Sequence, residues 1–140
     1  MRYLLDTNVL SELNRPLPDP RVTSWVLRQS LGDLAVSTIS VGEIEKGIQL
    51  LPIGRKRATL ARWMEEWVLE KFGDRAIPVD IAVSRTWGRV LAESERSGRV
   101  LPIPDTLLLA TAEFYGLVLV TRNERHFRER GVDILNPWKR

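Results

Sequence analysis

Short, nearly unbroken apolar runs alternate along the chain with longer segments whose apolar residues recur every three or four positions. That alternation constrains the fold more than any other feature of the sequence. Apolar runs without polar alternation read as strands buried on both faces, and parallel strands must be reached by long crossovers that are usually helical. The runs fall at residues 3–5, 34–38, 76–79, 117–121 and 132–135. Helical segments are expected at 8–13, 21–29, 40–51, 56–72, 80–97 and 104–115. The chain therefore reads as α/β, a three-layer α/β/α arrangement with a parallel sheet covered by helices on both faces and wound by right-handed crossovers. Residues 1–140 contain no internal repeat, low-complexity segment or linker, so a single domain is expected.

Local signals set the boundaries. Pro16, Pro18 and Pro20 break the chain after the first helical turns, and Pro52-Ile53-Gly54 separates the next two helices. The stripe Leu60, Trp63, Met64, Trp67 and Val68 marks the apolar face of the segment 56–72. That segment also carries Lys56, Arg57, Arg62 and Lys71, with Arg55 just before it. A basic, aromatic helix of this kind suits RNA, but a tryptophan stripe at helical spacing reads more readily as core or partner contact. Asp80 is placed to cap the helix that follows, Gly98 to end it, and Gly116 to close the segment 104–115.

Composition removes whole classes of chemistry. The 140 residues include one His and no Cys, which excludes thiol nucleophiles, disulfides and Cys-based zinc sites. Any metal held here should be a hard cation on oxygen ligands. A formal net charge of +3 and a sequence pI near 9.7 suit a polyanionic partner, although a plain basic surface would give the same balance. No apolar run has the length of a membrane span, and the first residues lack the pattern of a signal peptide, so a cytoplasmic location is expected.

In open parallel α/β sheets, ligands bind beyond the carboxyl ends of the strands. The oxygen-bearing side chains at such ends are Asp6, after the first run; Glu43, early in the helix after the second; Asp105, after the turn Leu101-Pro102-Ile103-Pro104; and Asn123, past the run 117–121. Three carboxylates brought together repel unless a cation neutralises them. A divalent ion would do so, lower the pKa of a bound water and polarise a phosphoryl oxygen, which are the demands of phosphodiester hydrolysis.

Each residue also has a purely structural reading. Ser40 to Glu43 has the form of a capping box, as does Thr121 to Glu124, and Asp105 in a first turn complements the helix dipole. Asp6 is harder to dismiss, because a carboxylate ending an apolar strand needs a partner or water. Thr121 and Arg122 are candidate substrate contacts. His126 is a candidate general base, but a surface histidine between Arg125 and Phe127 is the plainer reading.

Four blocks resemble a known family. They are Leu4-Leu5-Asp6-Thr7-Asn8-Val9-Leu10, Ser37-Thr38-Ile39-Ser40-Val41-Gly42-Glu43, Leu101 to Ala112 with Asp105 at its centre, and Leu119-Val120-Thr121-Arg122-Asn123 with Asn136-Pro137-Trp138. Their order and spacing resemble the PIN-domain ribonucleases, specifically the VapC and FitB-like toxins of toxin–antitoxin pairs. The resemblance implies a parallel sheet of about five strands and an acidic pocket binding Mg²⁺, with Mn²⁺ as an alternative. Metal ligands would fall on Asp6, Glu43 and Asp105, with Asn123 at the family's fourth catalytic position. His126 stands where the family frequently has an Asp, a departure that bears on how many ions are bound. Partners implied are an RNA substrate, a cognate VapB-like antitoxin and a second copy of the chain.

Other readings lack their motifs. A phosphatase built on a nucleophilic Asp would want a second Asp where Asn8 stands, and Ile48 and Gln49 occupy the Lys and Ser/Thr positions of a P-loop. The expectation is a metal-dependent endoribonuclease toxin held inactive by an antitoxin. The alternative is a catalytically silent module of the same fold that binds RNA or a partner.

Overall fold

In the computed structural model, which describes residues 1–139, four short parallel strands form one sheet. They are β1 (Tyr3–Leu5), β2 (Leu34–Ala35), β3 (Val118–Val120) and β4 (Ile134–Leu135), in the order β2-β1-β3-β4. β1 pairs with β3 in the register Leu5↔Val120, which sets Asp6 and Thr121 side by side as the strands end. The run 76–79 contributes only one parallel bridge, Ile77 beside Ser37, with Ile77 N donating to Val36 O and Thr38 N to Ile77 O. α3 begins at Thr38, so the partner segment leaves the extended conformation directly after Ser37 and the fifth strand stops at a single residue pair.

The helices are α1 (Thr7–Leu13), α2 (Pro20–Arg28), α3 (Thr38–Leu50), α4 (Arg55–Trp63), α5 (Glu70–Phe72), α6 (Ile81–Ser97), α7 (Ile103–Tyr115) and α8 (Glu124–Phe127). A π-helical stretch, Met64–Leu69, joins α4 to α5, so the expected helix at 56–72 is one rod with a widened middle. Trp63 and Trp67 stack there with ring centroids 6.0 Å apart. Met64, Val68 and Phe72 are buried beneath them, so the stripe faces the core. Asp80 caps α6 by accepting from Val83 N, while Gly98 and Gly116 end α6 and α7 in the left-handed conformation, at φ 71 and φ 65.

Side chains of the sheet alternate between two cores, as the pleat requires. Tyr3, Leu5 and Val120 join the cluster under α1 to α5, whereas Leu4 and Leu119 join the one under α6 and α7. Helices therefore cover both faces, and polar groups can escape only at the strand ends. No helix among the described residues is long and apolar enough to cross a membrane.

Candidate functional site

The site begins where β1 runs out. Asp6 is 4% exposed, its backbone N–H donates to Val120 O, and its side chain caps α1 by accepting from Thr7 N at 2.6 Å. The other carboxylate oxygen, Oδ2, accepts from the Thr121 hydroxyl at 2.7 Å. Thr121 is fully buried and also receives Asn123 N at 3.0 Å. Its place is thus behind Asp6, holding it, and not at a surface a substrate could touch.

Thr7 carries the arrangement from β1 to α3. Its hydroxyl lies 2.7 Å from Glu43 Oε1 and 2.9 Å from Ser40 Oγ. A carboxylate only accepts, so the single Thr7 proton goes to Glu43 and Ser40 must donate to Thr7. The expected capping box is not formed. α3 starts at Thr38 with Ser37 as its cap, accepting from Ile39 N, and this puts Ser40 and Glu43 inside the helix, facing the end of β1.

Asp105 sits in the first turn of α7, and its Oδ2 lies 2.7 Å from His126 Nδ1 on α8. An ionised carboxylate has no proton to give, so the ring nitrogen donates. His126 is therefore engaged with one of the three acids, which the sequence reading of a plain surface histidine missed. The second capping box is not formed either: Thr121 Oγ1 accepts from Asn123 N, among the described residues Glu124 N has no bond to it, and the Glu124 carboxylate turns instead to Asn136 and Lys139. Asn123 is exposed, and among the described residues no hydrogen bond joins its amide to the acids. Arg122 is exposed too, with its guanidinium 5.3 Å from the centre of the Trp138 ring.

The electrostatics single out Asp6. Burial pushes its carboxyl up from 3.8 to about 6 against the pull of the Thr121 and Thr7 hydrogen bonds, and the charges of Asp105 and Glu43 push in the same upward direction. The three acids are thus close enough to feel one another, and the donors on Asp6 do not offset the loss of water. Among the described residues, no three His, Asp or Glu side chains crowd tightly enough to chelate one ion directly.

A family model described as PIN domain matches residues 3–132. The chain belongs to the PIN-domain family. This PIN domain is 35% identical over 136 residues to the VapC ribonuclease Y4jK of Sinorhizobium fredii, covering 97% of each chain. It is 34% identical over 135 residues to Toxin FitB of Neisseria gonorrhoeae, covering 96% of this chain and 97% of the relative. The crystal structure of FitAcB from Neisseria gonorrhoeae superposes on it with a TM-score of 0.89 at 34% identity, over 97% of this chain and 98% of the other.

Within this PIN domain the donor set suits a hard divalent cation. The available groups are oxygen atoms of Asp6, Glu43 and Asp105, and burial first, then the charges of Asp105 and Glu43, raise the Asp6 carboxyl. Mg²⁺ usually takes one or two carboxylates and keeps several waters, so acids too far apart to chelate directly still fit it. Sequence reasoning missed Thr7, Ser40 and Asn8 as supports. Their signal was the run Asp6-Thr7-Asn8, which places two further polar side chains at a strand end where only backbone groups are otherwise polar. Asn8 makes marginal contacts of 3.5 Å with Thr121 and with Arg122 N.

Proposed function

We propose that this PIN domain is a metal-dependent endoribonuclease that acts as a toxin and is neutralised by a cognate antitoxin, working as a homodimer. The names of its relatives, a VapC ribonuclease and a toxin, support that reading. The observation that carries the chemistry is the Asp6 carboxyl, buried at a strand end and pushed up to about 6 with two further acids near it. Such a group relaxes to its ionised form when a cation arrives.

Asp6, Glu43 and Asp105 would hold Mg²⁺ or Mn²⁺. When bound, the ion supplies a water of lowered pKa and polarises a phosphoryl oxygen. The residues do the rest. Thr121 and Thr7 N fix Asp6, the Thr7 hydroxyl turns Glu43 Oε1 inward, and His126 fixes Asp105 Oδ2. Among the described residues Glu43 Oε2 has no protein hydrogen bond, which leaves it free to take a proton from an attacking water. Asn123 is at hand to hydrogen-bond water or substrate at the rim, and Arg122 to meet a phosphate. The surplus of positive charge, +3 over the chain, favours approach of RNA.

The test is cleavage of structured RNAs by antitoxin-free protein in Mg²⁺, in EDTA, and as Asp6→Asn. Cleavage in Mg²⁺ alone, lost in EDTA and in the variant, is expected. Cleavage indifferent to both treatments would overturn the reading, and RNA binding without cleavage under any divalent ion would favour the silent module.

A further inference from the structure

The segment that leaves β3 builds a second feature beside the carboxylates. Arg122, Arg125 and Arg128, spaced three residues apart around α8, line a cavity of about 560 Å³ together with Trp138 and Lys139. All three arginines are exposed, and among the described residues none is paired with an acid. Glu124 is the one acid lining the cavity, and it is already occupied: Lys139 Nζ pairs with it and Asn136 Nδ2 donates to it at 3.1 Å. These bonds, that to Lys139 first, hold the Glu124 carboxyl below the usual range, so it is ionised and its charge is cancelled by Lys139. Three guanidinium charges thus share one cavity with a single carboxylate, which is bonded to Lys139 and felt at longer range by Arg128 alone among the three.

What the cavity can recognise follows from its other walls. Trp138 is only 7% exposed and has Arg122 lying over its ring, so no indole face is open for a base to stack on. The remaining offer is a set of planar N–H forks, which match phosphate oxygens two at a time. The cavity also shares His126 with the acidic site, where that ring touches Asp105 at 2.7 Å. A chain of phosphates entering the cavity therefore lies next to the carboxylates.

The geometry points to a phosphodiester subsite in which Arg122, Arg125 and Arg128 hold backbone phosphates flanking the one cleaved at Asp6, Glu43 and Asp105. This inference rests on the nuclease reading for the position of the scissile bond. It extends that reading from one arginine at the rim to a built cavity, and it states that this cavity reads the backbone and not the bases.

A solvated charge cluster and a phosphate subsite differ in salt dependence. Each phosphate contact on a single strand contributes roughly 0.7 to the slope of log K against log salt. The experiment measures binding of the full chain, in EDTA, to a fluorescent single-stranded RNA and to a DNA of the same sequence. Arg122→Gln, Arg125→Gln and Arg128→Gln are compared singly and together with wild type and with Arg62→Gln on α4.

The expected result is a slope reduced by roughly 0.7 in each single variant and about 2 in the triple, on RNA and DNA alike, with Arg62→Gln unchanged. In cleavage assays the triple variant should raise KM for RNA. Thermal melting shows whether the variants fold, and a triple Arg→Lys variant that keeps most of the slope excludes a folding defect as the cause. A slope unaltered in the triple variant overturns the subsite, as does a change seen on RNA and not on DNA. Cleavage by wild type with an unaltered slope sinks the subsite alone, whereas a lowered slope without cleavage in any metal sinks the nuclease reading and leaves the subsite standing.

Discussion

Asp6 and Glu12 lie at opposite ends of the same short helix and both expose little surface, 4% and 5%, but Asp6 lies deep in the protein and Glu12 just beneath its surface. Their carboxyls move in opposite directions. At Glu12 burial pushes upward, but the Asp19 N–H at 2.8 Å and Arg15 at 3.2 Å outweigh it, and the carboxyl ends below its usual range. At Asp6 burial prevails over two hydrogen bonds, no cation pairs with it among the described residues, and Asp105 and Glu43 add to the upward push. Small exposed area therefore does not by itself distinguish an acid that works from one that braces the fold. What distinguishes them is depth, together with how much of the charge the protein leaves uncompensated. Glu12 is complete, and it pins the proline-rich connection before α2 to α1. Among the described residues, Asp6 has no positive partner.

The sharpest way to break this comparison is Asp6→Asn. RNA cleavage should fall by roughly 100- to 1,000-fold, the scale of removing one preorganised electrostatic group from an active site. Stability should move the other way. The folded Asp6 pKa lies above the unfolded one, so the folded state holds its proton more tightly, and stability is lost as pH rises from 3.8 to about 6. Above that window the ionised group costs about 3 kcal/mol in metal-free protein, at roughly 1.4 kcal/mol per pKa unit. Urea melts in EDTA at neutral pH should show the Asn variant to be the more stable protein. Mg²⁺ should stabilise wild type and leave the variant unchanged. A variant less stable than wild type at neutral pH would mean that Asp6, like Glu12, is a structural brace.

Glu12→Ala should do the reverse. Losing a buried charged acceptor and stranding Asp19 N costs about 2 kcal/mol, with cleavage per folded molecule unaltered. The pH sign is opposite as well. A lowered carboxyl stabilises the fold above the usual glutamate range and loses that contribution as pH falls through its folded value, so wild-type and variant melting curves should converge in acid. Loss of cleavage in folded Glu12→Ala protein would show that α1 transmits to the site.

The same contrast explains what the sequence disclosed. Period and polarity located the strands and the long helices, because burial on two faces leaves few polar positions in 3–5 or 117–121. The acids at strand ends were visible for the same reason. What stayed hidden depended on one-residue details. The start of α3 at Thr38 decides whether Glu43 caps a helix or reaches Thr7, and both Ser37 and Ser40 are good cap residues in the sequence. The run 76–79 reads as a strand, but its partner turns into α3 at Thr38, so it pairs only through Ile77. The His126 contact joins helices whose relative placement is set by core packing, through Phe127 and Leu109, and no local pattern encodes it.

Asp105 stands between the two extremes, and His126 makes it so. Its Oδ2 is taken by the imidazole, while among the described residues Oδ1 has no protein hydrogen bond. If that ring serves to aim the carboxylate, His126→Ala should weaken Mn²⁺ binding by about 10-fold, at the lower end of the range for residues that orient metal ligands. His126→Asn should restore most of it, because a side-chain amide N–H can reach the position of ring Nδ1. Electron paramagnetic resonance of free Mn²⁺ reads this without any turnover. Unchanged affinity in the Ala variant would make the His126 contact a surface pairing, whereas a loss that Asn repairs would place Asp105 beside Asp6, as an acid whose charge is arranged for something the protein does not itself contain.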